Sequence, residues 1–208
     1  MSGLQRMVWL AITLGASGCL SMASFQEVET MSKHETQIGV GATVSGYQID
    51  LGQEDPTKVM VPALNLWGRH GLTDHFELHG RVWAPLGATI GGKVQLLGTP
   101  YEQGFGLSTG LDVGYLTVSS GDSTTKVLDT YVPLYAGYRV SPGFATYLVP
   151  KYLLRDTFGS SGTELQHLVG GTLGLAAGKK AKFYLEGTGV YNLSTSNPSW
   201  TGGIGVGF

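Results

Sequence analysis

The stretch Gly104-Phe105-Gly106-Leu107-Ser108-Thr109-Gly110-Leu111-Asp112-Val113-Gly114-Tyr115 decides the fold. Phe105, Leu107, Thr109, Leu111, Val113 and Tyr115 share one parity and are apolar or β-branched. Gly104, Gly106, Ser108, Gly110, Asp112 and Gly114 share the other and are small or polar. Successive side chains of a strand point to opposite faces, so this is a strand with one greasy and one polar face. The pattern recurs on both sides. Leu128, Val132, Leu134, Ala136, Tyr138 and Val140 oppose Asp129, Tyr131, Tyr135, Gly137 and Arg139. Trp200, Gly202, Ile204, Val206 and Phe208 oppose Thr201, Gly203, Gly205 and Gly207. Segments 37–50, 58–70, 75–85, 88–98, 104–118, 127–140, 144–155, 164–177, 181–193 and 199–208 read as strands. They average about a dozen residues, near the ~9–11 that cross a bilayer at a tilt.

Composition narrows the class. The 208 residues fit one domain. Charged residues are 13% and glycines number 33, which excludes a disordered polyelectrolyte. A net charge of −2 supplies no cationic field for nucleic acid. The one long apolar run, residues 7–16, is shorter than the ~20 residues of a spanning helix. A polytopic helical protein is thereby excluded. A barrel is not, because its apolar and polar residues average out.

The connections alternate in length. Gly71-Leu72-Thr73-Asp74, Ser141-Pro142-Gly143 and Gly178-Lys179-Lys180 are tight. Residues 51–57, 119–126, 156–162 and 194–198 are longer and polar. Outward aromatics then fall at two heights. Phe76, Phe105, Phe144, Phe183, Tyr138 and Phe208 lie near the tight turns, and Tyr115, Tyr152, Tyr191 and Trp200 near the other end. At ~3.3 Å per residue the two rings stand roughly 20–25 Å apart, close to an apolar band ~25 Å tall. A sandwich core has no reason to sort its aromatics by height.

With these features the chain resembles a bacterial outer-membrane β-barrel of the small, porin-like or OmpA-like kind. Phe208, preceded by Val206, Ile204 and Trp200, resembles the C-terminal strand signal read by the barrel-insertion machinery. Arg69-His70-Gly71-Leu72-Thr73-Asp74-His75-Phe76-Glu77-Leu78 is similar to a hairpin of uncharacterised small barrels. The resemblance covers residues 37–208 and implies an all-β, antiparallel up-and-down transmembrane barrel of ten strands, with eight to twelve admissible. It implies an outer-membrane location reached through the periplasm, and membrane lipids and the insertion machinery as partners. The Pro62, Pro133 and Pro150 rings fall inside strands, where they mark bulges or fraying.

Residues 1–18 read as an export signal: Arg6, then an apolar core, then small residues. Ala16-Ser17-Gly18-Cys19 resembles a lipobox, which implies cleavage before Cys19 and its lipidation. Cleavage after Ser21-Met22-Ala23 is the rival reading. A single cysteine allows no intrachain disulfide. Residues 19–34 lack periodicity and read as a lipidated N-terminus and tether, and 35–208 as the barrel.

Inside such a barrel the charges would be Arg69, Glu77, Arg81, Lys93, Asp112, Asp129, Arg139, Lys151, Arg155, Lys182 and Glu186. Buried charges must pair or meet water, so an ion-pair network is expected, with Arg69 and Glu77 close across their hairpin. The excess of cations admits a narrow, anion-preferring pore. Trp67, Trp83, Tyr131, Tyr135, Tyr147 and Tyr184 add inward bulk. Gly39, Gly41, Thr43, Gly203, Gly205 and Gly207 line the closing seam, and either receive that bulk or leave a slot.

No catalytic, cofactor or metal site is expected. His34, His70, His75 and His79 lie in the tether, at a turn or inside a strand. His167 alone approaches the outer rim, near Asp129, Asp156, Ser160 and Ser161, without a recognisable motif. The histidines lack zinc spacing. The expected role is structural or that of a narrow passive pore with a charged lumen. The alternatives are a rim hydrolase acting through His167, and a lipid-tethered, lipocalin-like barrel with an apolar interior.

Overall fold

The computed structural model describes residues 22–49, 57–84, 87–120, 123–159 and 162–208. Ten antiparallel strands form a closed barrel. They are β1 (Thr36–Ile49), β2 (Thr57–Thr73), β3 (Phe76–Ala84), β4 (Gly87–Leu97), β5 (Gly104–Ser120), β6 (Ser123–Ser141), β7 (Phe144–Gly159), β8 (Gly162–Ala177), β9 (Lys182–Asn192) and β10 (Pro198–Gly207). Each strand pairs with its chain neighbours, and β1 closes on β10 with Gly41 opposite Gly205. Closure leaves no unpaired edge. With an even strand count, the start of β1 and the end of β10 lie at one end, the inner end. The short β2–β3, β6–β7 and β8–β9 turns lie there too.

Alternation sets the two faces. Leu64, Ile90, Leu173 and Ile204 are more than 60% exposed on the outside. An apolar skin on every strand is what a soluble protein avoids and a membrane-spanning barrel requires. Phe144, Ala177 and Phe183 lie in one cross-strand row toward the inner end, and Tyr152, Val169 and Tyr191 in another toward the outer end. Phe105 faces Tyr138 across β5 and β6. Phe76, Tyr115, Trp200 and Phe208 also point outward.

The structure corrects three expectations. Residues 119–126 and 156–162 are not loops over most of their length. Ser119 pairs with Thr124 and Phe158 with Thr163, so both hairpins continue to their described ends. Their polarity reflects a ribbon solvated on both sides, and Thr124, Thr125 and Thr163 suit a pleated backbone. The prolines do not shift register. Pairing lapses near Pro133 between Thr109–Leu134 and Asp112–Tyr131, then resumes in step. The Pro133 carbonyl instead accepts from Thr109 Oγ1 at 3.0 Å. The irregularities fall at the inner end, at Gly71/Thr73, Gln95/Leu97 and Arg139/Ser141.

The third correction is the largest. The tether expected over 19–34 is, over residues 22–31, a strand-free segment inside the barrel, bent at Val28 and Glu29. Eight strands leave a lumen that side chains just fill, whereas ten leave room for one more chain. Glu35 N donates to Ser32 O at 2.9 Å in a turn that points the chain back into the lumen. The His34 amide donates to Gly71 O at 2.8 Å, and Gly71 N to Glu35 O at 3.0 Å. Cys19 and the signal lie outside the described residues.

Candidate functional site

The candidate site is the lumen and the segment that occupies it. Two apolar clusters sit within the wall. Toward the outer end, Met22 packs with Trp83, Leu116, Val127, Tyr131, Leu153, Leu168 and Val190. Toward the inner end, Ala23, Phe25 and Val28 pack with Trp67, Tyr135, Tyr147, Val149, Ala176 and Tyr184. The seam glycines receive bulk from two directions. The Trp67 ring lies over Gly39 and Gly207, and a Cβ on Gly41, Gly203 or Gly205 would stand 3.0 Å from the Phe25 ring. Glycine is required there by close approach. Phe25 also meets Tyr184 edge-on, with centroids 6.5 Å apart.

The segment has no ladder partner, so wall side chains satisfy its main chain. Glu186 accepts from Ser24 N at 2.6 Å, from Phe25 N at 2.7 Å and from Tyr147 Oη at 2.7 Å. Lys93 Nζ donates to the carbonyls of Glu27 and Glu29 at 3.0 and 3.1 Å. Ser108 Oγ donates to Val28 O at 2.6 Å, and Arg69 Nη2 to Glu29 O at 2.7 Å. Gln95 and Glu77 each accept at 2.8 Å, from Thr30 N and Met31 N. Lys151 Nζ donates to Met22 O at 2.9 Å.

Charge pairing completes the hold. Glu29 Oε1 and Oε2 accept from Arg139 Nε and Nη2 at 3.0 and 2.9 Å, a two-point fork. Glu27 bridges Arg139 and Lys182. The segment thus adds two carboxylates to the seven cations and four carboxylates that the strands point into the lumen. Above the fork, Arg139 and Lys182 lie 5.7 and 4.9 Å from the Tyr101 ring, in the β4–β5 connection. Tyr101 Oη donates to Glu35 Oε2 at 2.6 Å. Burial and that hydrogen bond push the Tyr101 phenol above its ordinary value.

The remaining wall charges pair among themselves. Arg69 and Lys93 hold Glu77 at 2.6 and 3.1 Å. Asp129 takes the Arg155 fork at 2.9 and 2.8 Å. His79 Nε2 stands 2.8 Å from Asp112 Oδ1, and the Arg81 guanidinium 5.1 Å from the Trp83 ring. Beside Ser24 and Gln26 a cavity of about 40 Å³ remains, lined by His79, Arg81, Asp112 and Lys151 among others. That is space for roughly three waters.

His167 lies apart from all this, exposed near the outer end, with Nδ1 2.6 Å from Tyr152 Oη. The structure does not join it to Asp129, which is buried against Arg155. Ser160 and Ser161 lie outside the described residues. No group that could hold a metal ion occurs among the described residues. The interior carries charge and the exterior is apolar, the reverse of what a soluble barrel with a greasy cavity needs.

Sequence reasoning missed Phe25, Glu27, Glu29 and Tyr101. Two signals pointed toward them: the excess of lumen cations, and a glycine seam that the wall's inward rings either fill or leave as a slot.

No protein-family model and no curated protein matches the sequence. Solved structures share the architecture. The translocator domain of autotransporter NalP from Neisseria meningitidis is 11% identical, with 98% of this chain and 97% of that one covered and a TM-score of 0.46. An outer membrane channel from Pseudomonas putida F1 is 9% identical over 89% and 98%, with a TM-score of 0.49. The outer membrane protease OmpT from Escherichia coli is 11% identical over 83% and 95%, with a TM-score of 0.44. With its closed ten-strand wall, apolar skin and charged interior, the chain has the fold of the bacterial outer-membrane β-barrels.

Proposed function

We propose that the protein is an outer-membrane barrel kept shut by its own amino-terminal segment. With residues 22–31 seated it is a structural wall element. With the segment withdrawn it is a narrow passive pore. The observation that carries this reading is Glu27 between Arg139 and Lys182, with a cavity of about 40 Å³ beside Ser24 and Gln26. Withdrawal would remove two carboxylates and leave those cations facing water, which favours anions in the opened path.

Planar-bilayer recording tests it. The full chain should show little or no conductance. Deletion of residues 22–31, or the pair Glu27→Gln and Glu29→Gln, should open the path and make it anion-preferring. Equal conductance of full chain and deletion variant would remove the closing role.

A further inference from the structure

The lumen holds its segment chiefly by the main chain. Arg69, Lys93 and Ser108 donate to the carbonyls of three consecutive residues, 27, 28 and 29. Gln95 and Glu77 accept from the next two amides. These bonds do not depend on which side chains the threaded chain carries. Side-chain choice enters at alternate positions, where Arg139 takes the carboxylates at 27 and 29 and Lys182 shares the first. The chain bends at Val28 and Glu29, and both acids reach the same guanidinium, so one cationic wall reads both.

We infer that the inner half of the lumen is a binding site for an acidic peptide supplied in trans, which residues 22–31 occupy in cis as a built-in stand-in. This rests on the reading that the segment closes the lumen. The wall grips successive peptide groups, as β-strand recognition does elsewhere, but with side chains in place of a sheet edge. The acceptors favour a peptide over other polyanions. Glu77 meets Met31 N and Glu186 meets Ser24 N and Phe25 N, so a ligand must bring hydrogen-bond donors to two wall carboxylates as well as acceptors to Arg69, Lys93 and Ser108. A peptide main chain supplies both at fixed spacing; an acidic oligosaccharide has hydroxyl donors but lacks that peptide repeat. A small dicarboxylate reaches Arg139 and Lys182 but spans none of the main-chain contacts.

The experiment uses the chain lacking residues 22–31 in planar bilayers. The probes are a synthetic peptide with glutamate at alternate positions among alanines, its lysine counterpart, polygalacturonate and glutarate. The acidic peptide should block the current at a concentration roughly tenfold or more below that needed by the lysine peptide, because like charges facing Arg139 and Lys182 oppose entry. It should also outperform polygalacturonate and glutarate. Equal block by both peptides, or tighter block by polygalacturonate, would overturn the proposal.

Should the deletion variant fail to fold, the full chain bearing Glu27→Gln and Glu29→Gln with Val28→Cys and Gly106→Cys takes its place. The acidic peptide should then suppress the Val28–Gly106 crosslink and the lysine peptide should not. Suppression by neither would overturn the proposal. Conductance before any peptide is added reports separately on closure, so the two readings fail independently.

Discussion

Glu29 and Arg139, 110 residues apart in the chain, meet as a two-point fork with both side chains buried. The same guanidinium also holds Glu27. Arg139 thus fastens two acids of the lumen segment to the wall. Removing one partner of a buried pair strands the others. Arg139→Gln should weaken seating by about 3–5 kcal/mol. The expected result is a raised open probability in single-channel records, while heat-modifiable gel mobility, which reports the wall, persists.

Phe25 fills the seam. Phe25→Ala should cost about 3–5 kcal/mol of seating through the cavity left beside Tyr184. Gly205→Val approaches the same contact from the wall. A Cβ at Gly205 meets within 3.4 Å only atoms of the Phe25 ring, so the added methyls act on the segment without straining β10. Both variants should open the path in bilayer recordings. Closure unchanged in Gly205→Val would mean that the ring does not occupy the seam.

The wall has a greasy outside. Leu111 is 56% exposed, and its neighbour Asp112 reaches His79 in the lumen. Nitroxides at these two positions in reconstituted protein should differ. The label at Leu111 should relax with oxygen, and the one at Asp112 should not. Oxygen access at position 112 would invert the barrel.

Processing has a structural consequence. Met22 sits among Trp83, Leu116, Val127 and Leu153, and its carbonyl accepts from Lys151. Cleavage before Cys19 retains these contacts, and cleavage after Ala23 discards them. The chain purified from outer membranes should therefore retain Met22 and begin at or before it by intact mass spectrometry, as cleavage before Cys19 would leave it. A chain beginning at Ser24 would contradict this.

The legible part of the molecule is the part with a repeat. Period-two alternation separates Leu111 and Leu185, which the structure exposes, from Lys93 and Glu186, which it buries. The turn residues at Pro142-Gly143 and Gly178 place the strand ends. The lumen segment has no such mark. Its main chain bonds to side chains drawn from β2, β3, β4, β5, β7 and β9, so neither strand nor helix spacing governs residues 22–31. Glu27 and Glu29 alternate, but two acids in an aperiodic stretch look like a solvated linker. Only the wall's unmatched cations distinguish them, and that count requires the barrel first. The polar hairpin ends failed differently: where both faces meet water, polarity no longer separates strand from loop.

The central claim is that residues 22–31 lie within the barrel. An ideal Cβ at Gly106 stands 3.6 Å from the Val28 Cβ, inside the range of ~3.5–4.5 Å that a disulfide requires. Val28→Cys with Gly106→Cys, oxidised in outer membranes and mapped by peptide mass spectrometry, measures that proximity directly. A 28–106 linkage in most molecules, with conductance no higher than that of the full chain before and after reduction, is the expected result. Two free thiols that both react with a water-soluble maleimide in the folded protein would place the segment outside the lumen and end the account.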